Sequence, residues 1–190
     1  ETTANALSWT LWLLSLNPEV EAKLATELGR VLGGRDPTVG DLPQLPYVER
    51  VVKESMRLYP PAWVMGREAV WECEVGGYRM PAGTTALMSQ WVVHRDPRYH
   101  RDPQRFDPDR WTAEYEEGLP RFAYFPFGGG PRQCIGAGFA MTEARLVLAA
   151  VAQRFRMELV PGQRVEPYAS ITLRPKEGIR MTLTARSWGS

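Results

Sequence analysis

Three features of the chain predict a mainly α fold with small β-sheets, an α+β arrangement. Apolar residues recur at helical spacing in four separate stretches. Short extended segments are punctuated by Gly76-Gly77 and by Pro81-Ala82-Gly83. Between these segments and the last helix runs a long Pro-, Asp- and Arg-rich stretch with no sustained period, which closes on a cluster of glycines. A chain of 190 residues, 44% apolar and 24% charged, fits one domain spanning 1–190.

The first helix is expected over Glu1 to Leu16. Leu7, Leu11 and Leu14 form one stripe, and Trp9, Leu13 and Leu16 widen it almost all round, so other elements must cover it. Asn17-Pro18 offers an N-cap and a first-turn proline for a second helix, in which Val20, Leu24 and Leu28 recur until Gly33-Gly34 ends it. Residues 35 to 46 hold three prolines and two aspartates and read as a connecting loop. A third helix follows from Tyr47 to Tyr59, packed through Val48, Val51, Val52 and Ser55 and stopped by Pro60-Pro61, with Glu54 and Arg57 on its other side.

Arg67 to Val75 and Tyr78 to Ser89 read as paired strands, and His94 to Leu119 as an irregular meander. The fourth helix is expected from near Gly136 to Phe155, with Leu148, Val151, Ala152 and Phe155 at helical spacing. In the tail, Ile171 and Leu173 alternate, and so do Ile179, Met181 and Leu183 beyond a Pro-Lys-Glu-Gly turn, which predicts a hairpin.

With 23 basic and 22 acidic side chains the net charge is +1, so nothing calls for nucleic acid or an anionic membrane as partner. Cys73 and Cys134 cannot form a zinc site alone and do not make the dense pattern of a secreted disulfide scaffold, although one disulfide stays open. Cys73, in a strand-like stretch, is expected as a buried thiol. No charged-then-apolar leader precedes the first helix, and the apolar run Ala6 to Leu16 is about half the length that spans a bilayer. A cytoplasmic setting is expected, with an anchor upstream of Glu1 left open.

The stretch Phe125-Pro126-Phe127-Gly128-Gly129-Gly130-Pro131-Arg132-Gln133-Cys134-Ile135-Gly136 puts one thiol in a glycine-rich loop, beside a cation and just before a helix. Such surroundings favour a thiolate, the form that ligates metals. The glycines permit positive φ and leave no Cβ, so a large flat group can approach the backbone. The spacing Phe127-x-x-Gly130-x-Arg132-x-Cys134-x-Gly136 resembles the haem-binding signature of the haem-thiolate monooxygenases, the cytochrome P-450 superfamily. The plain alternative is a Gly-rich turn closing on a buried free cysteine, in a non-catalytic binding module.

The resemblance implies the C-terminal, haem-binding half of that fold, entered partway along the family's long central helix. It implies haem b with Cys134 as its metal ligand, Phe127, Gly130 and Gly136 around it, and Arg67 and Arg132 on its propionates, a sensible use of guanidinium forks. His94 and His100 are the other conceivable axial ligands, set against a surface or structural role. Lys53-Glu54-Ser55-Met56-Arg57 followed by Pro103-Gln104-Arg105-Phe106 resembles the family's Glu-x-x-Arg and Pro-x-Arg-Phe elements, which assigns Glu54, Arg57 and Arg105 to a structural network. By spacing alone, Glu54 and Arg57 read as a solvated ion pair. Two small departures are Gln104, where Glu is commonest, and Trp111 after Arg110, where Phe is usual.

Glu1-Thr2-Thr3 looks like the end of the family's Ala-Gly-x-(Asp/Glu)-Thr-Thr segment, which makes Glu1 and Thr2 the catalytic proton carriers, with helix capping as the alternative. Pocket residues are expected from Pro61, Ala62, Trp63, Val64 and Met65 and from Ser170, Ile171 and Thr172. Their apolar character suggests a lipophilic substrate such as a fatty acid, terpenoid or carotenoid. The implied activity inserts one oxygen atom from dioxygen, with electrons from a ferredoxin or flavoprotein because the chain has no flavin or nicotinamide fingerprint. A piece of this length is expected to be inactive alone. A haem-thiolate isomerase or dehydratase is the second reading, and the Glu1-Thr2 pair argues against it.

Overall fold

A computed structural model describes residues 1–187; residues 188–190 of the expected 1–190 span lie outside the described residues. Helix α1, Thr2–Leu16, is the spine: it touches α3, α6, β5 and β7, the elements defined below. Trp9 explains why. Its ring is fully buried, lies 4.5 Å from that of Tyr59 in a stacked pair, and its Nε1 donates to the Leu173 carbonyl at 3.1 Å. Large aromatics with a satisfied polar atom are efficient anchors of this kind.

Helix α2, Pro18–Leu32, buries Val20, Leu24, Leu28 and Leu32 and ends on Gly33 in the left-handed conformation. Asn17 sits at its N-cap position, yet its amide donates back to the Leu13 carbonyl at 2.7 Å and makes no cap bond to α2. The expected capping role therefore falls away, because the freed carbonyls at the end of α1 compete for the same side chain. A 3-10 segment, Val39–Gln44, occupies the expected loop and leads to α3, Pro46–Leu58. The α3 N-terminus is capped from outside: the Glu27 carboxylate accepts from the Tyr47 and Val48 amides at 2.9 and 3.0 Å. A carboxylate at a helix N-terminus satisfies orphan donors and suits the helix dipole.

Strands β1 (Met65–Glu68), β2 (Cys73–Val75), β3 (Tyr78–Met80) and β4 (Thr85–Met88) form two nested antiparallel ladders, β1 with β4 and β2 with β3. Gly76 and Gly77, at φ 59° and 83°, make the tight turn between the inner pair. Cys73 is half-buried there rather than in the core, and both cysteines are free. A short helix, α4 (Gln90–Val93), precedes the meander, which itself contains another, α5 (Ala113–Gly118). Helix α6, Ala137–Arg154, runs straight into β5, Phe155–Leu159.

The tail departs from the expected hairpin. Strand β7 (Leu173–Pro175) pairs with β6 (Pro167–Ala169), while β8 (Met181–Ala185) pairs with β5, placing Leu183 opposite Met157. Alternation along a strand reports which face is buried and leaves the partner open. One core joins α1, α2, α3 and α6, with Leu24, Leu28, Val48, Val51, Val52, Leu148 and Ala149 almost wholly buried.

Candidate active site

The cysteine loop, the start of α1, the connector after α3 and the first half of α6 enclose a cavity of about 260 Å³. Thr2, Thr3 and Ala6 line it from α1, Pro61, Ala62, Met65 and Arg67 from the connector and β1, and Ala140 and Ala144 from α6. Met56, Pro126, Phe127, Gly128, Arg132 and Cys134 complete the wall. Ala6, Ala140 and Ala144 escaped sequence reasoning, although Ala140 and Ala144 stand four residues apart on one helix face, the spacing that leaves a flat recess beside a helix.

The loop is fixed by its own backbone. The Cys134 amide donates to the Phe127 carbonyl at 3.0 Å and the Gly128 amide to the Phe125 carbonyl at 2.9 Å. Gly128 and Gly130 adopt φ 73° and 69°, which an L side chain rarely does, whereas Gly129 and Gly136 stay at negative φ. At Gly129 the constraint is space instead: a Cβ there would lie 2.3 Å from the Phe122 ring, which would have to swing aside. Cys134 is exposed rather than packed away, which departs from the alternative of a buried free cysteine.

Behind the loop lies a dense polar knot. Glu54 and Arg57 are completely buried, so neither faces solvent on the far side of α3 as the helical stripe had suggested. Arg57 Nε and Nη2 clasp the two Glu54 oxygens at 2.9 Å each. The remaining Arg57 donors reach the carbonyls of His94, Pro103 and Arg105 at 2.7, 2.8 and 3.0 Å. The third cation is Arg110, whose Nε donates to Glu54 Oε1 at 3.0 Å.

Arg105 is thus corrected: its side chain is exposed and it joins the knot only through its carbonyl. Two Pro-x-Arg-aromatic runs stand five residues apart, and the second, Pro108-Asp109-Arg110-Trp111, delivers the guanidinium. Trp111 also donates its Nε1 to Glu54 Oε2 at 2.9 Å. His94 and His100 are wholly buried structural groups away from the cavity wall. His94 Nε2 accepts from the Phe125 amide at 2.9 Å, and His100 meets the Tyr115 hydroxyl and the Ala123 carbonyl. Burial, aided by the charges of His100 and Arg57, pushes His94 down to about 3.

A family model described as cytochrome P-450 matches residues 1–183. This chain belongs to the cytochrome P-450 family. It is 48% identical over 173 residues to cyclooctatin synthase of Streptomyces melanosporofaciens, covering 91% of the chain and 38% of that protein. Against pentalenene oxygenase of Streptomyces avermitilis the identity is 41% over 189 residues, covering 100% of the chain and 42% of that protein. The crystal structure of the cytochrome P-450DA haem domain superposes with a TM-score of 0.92 at 32% identity, over 98% of the chain and 42% of that structure. The chain therefore spans about two fifths of the length of the curated relatives it matches.

Membership of the cytochrome P-450 family implies haem, and the residues lining the cavity suit one. It offers a thiol, two guanidinium groups and largely apolar walls, the complement of an iron, two carboxylates and a porphyrin face. Arg67 donates only to the neighbouring Gly66 carbonyl, and neither it nor Arg132 has a carboxylate partner among the described residues. Of the expected pocket residues, Pro61, Ala62 and Met65 line the cavity. Trp63, Val64, Ser170, Ile171 and Thr172 stand off its wall: Trp63 Nε1 donates to the Ser170 carbonyl at 2.8 Å, and Ile171 is fully exposed at the β6–β7 turn. Thr2 lines the cavity while Glu1 lies just outside it. Among the described residues no helix is long and apolar enough to cross a membrane.

Proposed function

We propose that this chain is the C-terminal, haem-binding part, 1–190, of a haem-thiolate monooxygenase that inserts one oxygen atom from dioxygen into a lipophilic organic substrate by hydroxylation or epoxidation. The observation that carries the reading is the convergence of Cys134, Arg67, Arg132 and Thr2 on one apolar-walled cavity. When bound there, haem b supplies dioxygen activation, and thiolate ligation favours O–O cleavage.

The chain's own residues have separable tasks. Cys134 Sγ ligates the iron, and the Arg67 and Arg132 guanidinium groups hold the propionates. Phe127, Gly130 and Gly136 shape the loop around the thiolate, while Ala6, Ala140, Ala144 and Met56 keep water off the reacting centre. The Glu1 carboxylate takes a proton from solvent and the Thr2 hydroxyl passes it into the cavity. Pro61, Ala62 and Met65 orient the substrate from the cavity wall. Glu54, Arg57 and Arg110 hold the meander that backs the cysteine loop.

Similarity to a pentalenene oxygenase supports a lipophilic substrate. Electrons come from a ferredoxin or flavoprotein. A cytoplasmic setting is in keeping with two unpaired thiols. Residues 1–190 alone are insufficient for turnover, given the share of the relatives' length they represent. The test is turnover of a terpenoid panel by the complete natural protein, with a ferredoxin donor and isotopically labelled dioxygen. Label in the product supports the reading. Product formed without dioxygen overturns it in favour of an isomerase or dehydratase.

A further inference from the structure

Thr172 does not face the cavity; it bridges Glu1, the residue that precedes α1, and Asn5 in its first turn. Its Oγ1 donates to Glu1 Oε1 at 2.7 Å and accepts from Asn5 Nδ2 at 3.1 Å. A hydroxyl has a single proton, so an amide donating to its lone pair leaves that proton directed at the carboxylate. Glu1 and Asn5 are four residues apart and share a helix face, and the Asn5 backbone N–H donates to the Glu1 carbonyl at 2.9 Å.

The bridging hydroxyl has a firm base. The next residue, Leu173, is buried, its amide donates to the Pro61 carbonyl at 2.9 Å, and its carbonyl accepts from Trp9 at 3.1 Å. Two positions earlier the Ser170 carbonyl accepts from Trp63. The β6–β7 turn thus presents Ile171 to the outside while Thr172 stays fixed against α1.

We propose that Thr172, itself oriented by Asn5, is a positioning residue that holds the Glu1 carboxylate in the orientation from which it serves Thr2. This rests on the monooxygenase reading above. It gives the β6–β7 turn a part in proton supply rather than in substrate contact.

The test uses the complete haem-loaded protein with its electron donor, as wild type, Thr172→Val, Thr172→Ser and Asn5→Ala. Valine keeps the shape and removes the hydroxyl; serine keeps the hydroxyl. Product formed per electron consumed is expected to fall about tenfold in Thr172→Val with KM unchanged, less than the roughly 10²- to 10⁴-fold contribution of a general acid–base group itself. Asn5→Ala should show a smaller loss, and Thr172→Ser should restore wild-type coupling. Independently of turnover, amide hydrogen exchange over residues 2–6 should quicken in Thr172→Val. Unchanged coupling in Thr172→Val, or a Thr172→Ser as defective as Thr172→Val, overturns the proposal; unchanged exchange shows that the bridge does not form. A wild type that makes no dioxygen-dependent product, with exchange still responding to Thr172→Val, removes the monooxygenase reading and the positioning role with it, while the bridge itself stands.

Discussion

Arg110 Nε and Glu54 Oε1 meet at 3.0 Å across 56 residues of chain, and that contact fastens the meander to α3. Glu54 receives five hydrogen bonds: Arg57 Nη2, Arg110 Nε and the Asp107 amide on Oε1, and Arg57 Nε and Trp111 Nε1 on Oε2. A wholly buried carboxylate is tolerable only with this degree of satisfaction, because an unpaired charge out of water is costly. Arg57 in turn uses its five donor hydrogens on Glu54 and three carbonyls, so one side chain gathers the segments at 94, 103 and 105.

The knot predicts an order of damage. Arg57→Ala should destabilise the protein by about 3 to 5 kcal/mol, since it leaves a buried charge short of its main partner. Arg110→Ala, which leaves Arg57 in place, should cost about 1.5 to 3 kcal/mol, as for a lost hydrogen bond to a charged group. Arg105→Ala should fall within about 0.5 kcal/mol of wild type, because only its carbonyl takes part. Denaturant midpoints of the three variants check the ranking, and an Arg105→Ala as severe as Arg110→Ala would undo it.

The external cap on α3 predicts a modest, separate effect. Glu27→Ala strips the acceptor from the Tyr47 and Val48 amides. A loss of about 0.5 to 2 kcal/mol is expected, the usual range for a helix N-cap. Thermal unfolding reads it, and spectra of the bound haem should stay the same because Glu27 is remote from the cavity wall.

Acid should weaken the fold through its histidines. Burial keeps His94 neutral, down to about 3 from an ordinary 6.5, and lowers His100 as well. The unfolded chain therefore binds protons that the folded chain refuses, so stability falls as the pH drops below about 6.5 and continues to fall toward His94's own value. His94 contributes a slope approaching about 1.4 kcal/mol per pH unit in that window, and His100, lowered too, acts in the same direction. His94→Gln, whose amide oxygen can still accept from the Phe125 amide, should flatten the profile by one such slope when denaturant midpoints are followed from near neutral into mild acid.

The glycine loop makes a prediction about cofactor retention. Gly128 at φ 73° leaves a built Cβ only 3.0 Å from Met65 Cε. Gly128→Ala should cost about 1 to 2 kcal/mol from the left-handed backbone alone and should lower the fraction of protein that keeps haem through gel filtration. Retention equal to wild type would mean that the loop relaxes without disturbing the site.

Helices were legible because burial imposes a period, and α1, α2, α3 and α6 fall within a residue or two of their expected bounds. Period could not reveal that Glu54 and Arg57 point inward, since charged residues carry no apolar signal; only their order relative to the cysteine loop did. Spacing also could not separate Arg105 from Arg110, because Pro103-Gln104-Arg105-Phe106 and Pro108-Asp109-Arg110-Trp111 offer the same pattern, and the choice is made in space by which guanidinium reaches Glu54. Strand partners in the tail were hidden for a related reason. The contact between Thr172 and Glu1, 171 residues apart, lies beyond any local pattern.

The proposed function stands on Cys134 as the thiolate ligand of a haem in the cavity between α1 and α6. Its most direct test is the reduced, carbon monoxide difference spectrum of the complete natural protein beside its Cys134→Ser variant. Thiolate ligation by Cys134 gives a long-wavelength Soret band in the wild type and its loss in the variant. A protein that holds no haem, or a band indifferent to Cys134→Ser, would contradict it.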